Sequence, residues 1–204
     1  MNPQFKAIWE VHQFFTSESI SYVIIGGIAL QWWGEPRFTR DVDVTVLVSL
    51  GEEAAVVKKI LSAFSPRLSD AYKFALKNRI CLVQSKEGYE IDISLGIPGY
   101  EKEVMKRSVE CRLDKKHIVR VCSAEDLIIH KAVAGRPQDI ADIEGIIIRQ
   151  GKKLDIRYIR RWLKEFSYVL ETQELLQRFE EPWKRLIGKK NKYAHRYKDF
   201  VIFC

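Results

Sequence analysis

The stretch DVDVTVLV, residues 41–48, sets the tightest limit on what this chain can fold into. Val42, Val44 and Val46 alternate with Asp41, Asp43 and Thr45. A strand turns successive side chains to opposite faces, so this strand buries its valines and gathers two carboxylates on its other face. The carboxylates sit about 6–7 Å apart along the strand. Like charges so close repel, and burial makes the repulsion worse. Water on a solvated face would tolerate the pair. A hard cation between them would stabilise it, and Mg2+ is commonly held by one or two carboxylates plus substrate phosphates.

The flanking sequence favours the cation. The run SYVII ends in Gly26–Gly27, and IALQWWG follows, stopped by Gly34 and Pro36. That order predicts a strand, a tight turn and a short helix. Glycines let a backbone approach a ligand closely, and a helix N-terminus presents unpaired N–H groups to an anion. A third acid, Asp92, lies in YEIDISLG with Ile91 and Ile93 on the opposite face. Three acids on adjacent strands beside a glycine turn describe a site for metal-assisted phosphoryl chemistry.

Periodicity organises the rest. Phe5, Ile8, Trp9, Val11 and Phe15 predict an amphipathic helix over 3–17. GEEAAVVKKILSAF, SDAYKFALKN and IPGYEKEVMKRS read as helices, the first with acids in its opening turn, where the helix dipole favours them. RICLVQSKEGYEIDISLG reads as two strands turning near 86–88, and VECRLDKKHIVRVC as a hairpin around 114–116. Ser123 caps a helix ending at Gly135, with Asp126 at its third position, and Pro137 opens the next. Two more helices follow, over about 155–170 and 172–187. Strands mixed with helices, then helices alone, predict an α+β (α/β-like) fold: a small mixed sheet flanked by helices, then a helical C-terminal region.

Charge placement sets a soft boundary near Gly151. Residues 1–150 hold 20 Lys+Arg and 20 Asp+Glu, whereas 151–204 hold 14 against 7. The segment WKRLIGKKNKYAHRYK, 183–198, has seven basic residues, no acidic one, and Trp183, Tyr193 and Tyr197 interleaved. Such a stretch attracts polyanions and offers faces for base stacking, though a solvated helix and tail would look the same. No segment approaches the roughly 20 apolar residues that cross a bilayer. The N-terminus shows no secretory pattern. Four cysteines without a CxxC pair read as reduced thiols, and a cytoplasmic protein is expected.

Taken together, GG(I)AL…G.PR.T.D.D, the downstream DI strand and SAEDLIIHKAVAGRPQDIADIEGII resemble the nucleotidyltransferase superfamily with the polymerase-β-like minimal fold. The likeness is closer to the AbiEii/MenT-like nucleotidyltransferases, many of them toxins of toxin–antitoxin systems. It covers roughly residues 20–150 and makes 1–150 the nucleotidyltransferase core, with 151–204 a basic helical region. It implies that Asp41, Asp43 and Asp92 bind Mg2+ or Mn2+, Asp92 also accepting the proton of an incoming hydroxyl. It places Gly26 and Gly27 at the phosphate-facing turn, Lys131 near the nucleotide phosphates with Asp139 beside it, and Arg37 and Thr39 in support. Where the wider superfamily has Gly–Ser, position 27 is glycine, so phosphate grip must rest on backbone N–H groups, Arg37 or Lys131. The expected reaction moves NMP from an NTP to an acceptor hydroxyl with release of pyrophosphate. RNA, including tRNA, is the favoured acceptor, and an antitoxin is a candidate partner. A small molecule or a protein hydroxyl is the alternative acceptor, and a catalytically degenerate nucleotide- or RNA-binding module the alternative function. Asp139 and Asp142 also read as first-turn helix-dipole partners or as partners of Arg136, His117 and His130 as structural or exposed, and Trp32 and Trp33 as packing.

Overall fold

The computed structural model describes residues 2–187. The part of the basic stretch beyond 187, with Tyr193 and Tyr197, lies outside the described residues, as does Cys204. The chain forms two compact units: residues up to 28 together with 38–122, and residues 29–37 together with those from 123 onward.

The first unit is built on one seven-stranded sheet. In chain order its elements are α1 (Pro3–Ser17), β1 (Tyr22–Ile24), the first turn of α2 (Gly26–Trp33), β2 (Asp41–Leu47), α3 (Glu53–Ala63), β3 (Ser65–Pro66), α4 (Ala71–Asn78), β4 (Ile80–Gln84), β5 (Glu90–Gly96), α5 (Tyr100–Arg107), β6 (Val109–Arg112) and β7 (Ile118–Val121). The strand order is β3-β4-β5-β2-β1-β7-β6. Asn2 starts α1, its side chain accepting from the Phe5 N–H at 2.7 Å, and the helix buries Ala7, Ile8, Val11 and Phe15. β4 and β5 are an antiparallel hairpin whose turn uses Gly88 at φ +78°, and β6 and β7 are another, turned by Asp114, whose Oδ1 accepts from the Lys116 and His117 N–H groups. β2 and β5 run parallel, which requires a long crossover, and the segment carrying α3 and α4 provides it.

That parallel pairing fixes both faces of the central ladder. Val42 lies beside Ile91 and Val44 beside Ile93, and all four are fully buried. On the other face Asp41 lies beside Glu90 and Asp43 beside Asp92. The mixed sheet with flanking helices is the α+β class that the sequence predicts.

The second unit comprises residues 29–37 and four helices: α6 (Ala124–Ala134), α7 (Pro137–Gln150), α8 (Ile156–Val169) and α9 (Glu174–Ile187), with a short 3-10 turn at Gly151–Lys153. Ser123 caps α6, its Oγ accepting from the Asp126 N–H at 3.1 Å. α6 packs on α7, α8 and α9, burying Leu127, Ile128, Ile129, Ile143, Ile146, Ile159, Leu163 and Phe179.

Two features differ from the sequence expectation. α2 begins at Gly26 itself, not after a glycine turn, because Gly26 at φ +64° passes directly from β1 into the helix. β3 was not expected: it has two exposed residues and carries no periodicity. The compact units divide at 122/123, where α6 and α7 begin to bury their apolar faces on α8 and α9, whereas the charge shift near Gly151 reports surface composition. Among the described residues no helix is long and apolar enough to cross a membrane. Cys81, Cys111 and Cys122 are buried.

Candidate active site

The register of β2 on β5 converges the three acids. One oxygen each of Asp41, Asp43 and Asp92 lies within 4.8 Å of the other two, and all three residues are half-buried. Each strand can hold its carboxylates rigidly because the alternate residues are locked in the core. Thr39 orients Asp41: its buried Oγ1 donates to Asp41 Oδ1 at 2.5 Å. The Thr39 carbonyl in turn accepts from the Tyr89 hydroxyl at 2.9 Å, and the Gln4 amide donates to that hydroxyl at 3.0 Å. Burial raises the Tyr89 pKa, as does the charge of Asp41, so the phenol stays a donor.

The two glycines touch this cluster. A Cβ built on Gly26 would stand 1.9 Å from Asp43 Oδ2, and one on Gly27 would stand 2.8 Å from Thr39 Oγ1. The backbone therefore meets the carboxylates as closely as a main chain without side chains allows. Burial pushes the Asp92 pKa up, and the charges of Asp41 and Glu90 push the same way while Arg67 opposes them. Arg67 donates to both Glu90 and Asp92.

Arg37, Lys131 and Asp139 come together in the second unit, with Asp142. Lys131 Nζ lies 2.9 Å from Asp139 Oδ1 and 2.8 Å from Asp142 Oδ2. Arg37 reaches Asp142 with both Nε and Nη2, each at 3.0 Å. Arg136 Nε donates to Asp139 Oδ2 at 2.7 Å. Lys131, Asp139 and Asp142 are buried. α7 also clamps the end of α2, through Arg149 to the Gly34 carbonyl (2.8 Å) and Gln150 to the Trp33 carbonyl (2.8 Å). Burial alone would raise both aspartates, but hydrogen bonds from Arg136 and Lys131 to Asp139, and from Arg37 and Lys131 to Asp142, outweigh it and hold both below the usual carboxylate range.

Sequence reasoning had no place in the site for Arg67, Glu90, Tyr89 and Gln4. Glu90 was readable, two residues before Asp92 on the same face. Arg67 follows a strand too short to show a pattern, and Gln4 and Tyr89 gave no local sign of pointing at Thr39.

The donor set fits a divalent cation. It is all carboxylate oxygen, the ligand type of Mg2+ and Mn2+, and its three oxygens already cluster.

A mixed-sheet core with an acid cluster on its central ladder is the class that this fold defines. The chain belongs to the family described as nucleotidyltransferase of unknown function (DUF6036), whose profile matches residues 5–192. It is therefore a nucleotidyltransferase by family. No curated protein matches. Among solved structures, the antibiotic-resistance factor ANT(2")-Ia in solution is 14% identical, with 82% of this chain and 95% of that one covered and a TM-score of 0.55. ANT(2")-Ia in complex with adenylyl-2"-tobramycin is 16% identical, covering 81% and 99%, with a TM-score of 0.53. An antigenic nucleotidyltransferase-like protein from Paracoccidioides brasiliensis is 16% identical, covering 83% and 90%, with a TM-score of 0.49. At such identities the likeness to ANT(2")-Ia establishes a shared fold.

Proposed function

We propose that this chain transfers a nucleoside monophosphate from an NTP to an acceptor hydroxyl. The acceptor oxygen bonds to the α-phosphorus, the bond to the β-phosphate oxygen breaks, and pyrophosphate leaves. The convergence of Asp41, Asp43 and Asp92 within 4.8 Å carries this reading. Those three would hold Mg2+ or Mn2+, which supplies charge neutralisation for the triphosphate and acidifies the attacking hydroxyl. Asp92 takes the hydroxyl proton. Thr39 fixes the rotamer of Asp41. Gly26 and Gly27 keep the phosphate-facing backbone bare. Arg37 and Lys131 take the phosphate side by family likeness, with Asp139 and Asp142 orienting them.

RNA is the acceptor we favour. Arg157, Arg161 and Lys164 repeat at i, i+4 and i+7 on α8, and Tyr168 continues the row at 85% exposure. The exposed Lys152 and Lys153 precede them. Such a row suits a phosphate backbone with an aromatic face for a base. A toxin role, with an antitoxin protein as partner, is supported by the sequence likeness to the AbiEii/MenT-like group. The competing reading is a small-molecule or protein hydroxyl as acceptor.

The test is transfer of α-labelled NMP to total RNA, to an aminoglycoside and to protein, with Mg2+, for wild type, Asp41→Asn and Asp43→Asn. Label on RNA is expected from wild type alone. Label transfer that survives both substitutions would overturn the site. A chain whose melting temperature ignores Mg2+ with NTP would instead be a degenerate binding module.

A further inference from the structure

Four carboxylates, not three, share the acidic face of the β2–β5 ladder. Asp41 beside Glu90 and Asp43 beside Asp92 make a two-by-two grid. Arg67 lies over the β5 side of it. Its Nη1 donates to Glu90 Oε2 at 2.6 Å and its Nη2 to Asp92 Oδ1. Its main-chain N–H donates to the Leu82 carbonyl at 3.0 Å, which ties the residue to β4. Its Nε is buried without a hydrogen-bond partner among the described residues. The guanidinium is thus committed to two carboxylates, one inside the acid cluster and one beside it.

We propose that Arg67 competes with the divalent ion for Asp92, and that Glu90 is the second holder that keeps Arg67 in place when Asp92 turns to the ion. The proposal rests on reading Asp41, Asp43 and Asp92 as the metal site. A cation beside a carboxylate reduces that carboxylate's attraction for another cation, and two cations sharing one carboxylate repel. A guanidinium is a rigid planar fork with donors on separate nitrogens, so it can release one carboxylate and keep the other. Glu90 has the larger exposure of the two partners (54% against 27%), so water can help it receive the charge. Arg67 and Glu90 are accordingly positioning residues. They set how tightly the third carboxylate engages metal.

The test titrates the full chain with Mn2+ alone by calorimetry, comparing wild type with Asp43→Asn, Arg67→Met, Arg67→Gln, Glu90→Gln and Arg67→Met/Glu90→Gln. Removing a unit positive charge that contacts a ligand carboxylate is expected to tighten Mn2+ binding about tenfold. Glu90→Gln confines Arg67 to Asp92 and is expected to weaken binding about threefold, at the weak end of single-pair effects. In the Arg67→Met background Glu90→Gln should then do much less. Equal losses on both backgrounds would reduce Glu90 to a bystander charge and overturn the handover. Arg67 variants that fold, by thermal melting in chelator, but bind Mn2+ no tighter than wild type overturn the competition. Failure of both Arg67 variants to fold assigns Arg67 to stability and also overturns it. Wild type that binds no Mn2+ removes the metal reading and this inference together. Binding lost in Asp43→Asn but unaltered by Arg67→Met removes the inference alone.

Discussion

Gly26 carries two demands that no other residue meets together. Its φ of +64° is strained for any residue with a Cβ, and that Cβ would fall 1.9 Å from Asp43 Oδ2. Alanine there costs about 1–2 kcal/mol for the left-handed backbone alone and must also push Asp43 aside. Gly26→Ala is therefore expected to lower unfolding free energy in urea and to abolish Mn2+ binding. Wild-type values for both would show that the close approach is not required. Lys131 faces a different test. Its ammonium lies between two buried aspartates. Removing one partner from a buried ion pair typically costs about 3–5 kcal/mol. Lys131→Met should approach that figure in urea denaturation, and a loss of only a few tenths would mean the cluster is effectively solvated. The sequence showed the charges at these positions but not the pairing. Asp41 and Asp43 were legible as a pair because strand alternation forces them onto one face, and Asp92 as an acid opposite the buried isoleucines of its own strand; the β2–β5 pairing is what sets it beside them. The Arg37–Asp142 fork was not, because 105 residues separate its partners.

Between α6 and α7 the same cluster makes helix packing depend on pH. Asp139 and Asp142 titrate below their ordinary range in the folded chain because their cationic partners outweigh burial. The unfolded chain then binds more protons than the folded one as acid is added, so stability falls with pH. Their contribution is complete above the unfolded aspartate pKa of about 3.9 and is lost as pH falls through the lower folded values. Asp92 has the opposite sign. Its raised pKa contributes most below the unfolded value and fades as pH rises through the folded one. Urea midpoints between pH 3 and 6 should therefore drop steeply at the acid end, and less steeply in Asp142→Asn; equal slopes would separate Asp142 from acid unfolding. Nearly every helix and strand was readable from sequence, because 3.6- and 2-residue apolar periods mark elements with one buried side. Parallel pairing of β2 with β5 was not. Periodicity says which face is buried but not which strand lies alongside.

Across the whole chain, charge and compactness divide the sequence differently. The basic excess begins at residue 151, while the compact units part at 122/123. Packing follows apolar faces, which α6, α7, α8 and α9 share. Charge instead follows what the surface meets. On α8 the row Arg157, Arg161, Lys164 lies apart from Arg160, which is spent on Glu180 at 2.5 Å. Neutralising the row as Arg157→Gln/Arg161→Gln/Lys164→Gln removes charges whose loss should spare the helix, since Ile159 and Leu163 form its buried side. Polyanion binding releases condensed counterions, so each lost contact flattens the dependence of log K on log salt by about 0.7 for a single strand. Three lost contacts should flatten it by about 2. RNA affinity by fluorescence anisotropy between 50 and 300 mM salt would show this, with the melting temperature and the KM for NTP unchanged. A triple variant that keeps the wild-type slope would leave α8 outside the RNA path. Transfer activity that ignores salt in both proteins would go further, since only an acceptor without a phosphate backbone escapes counterion release.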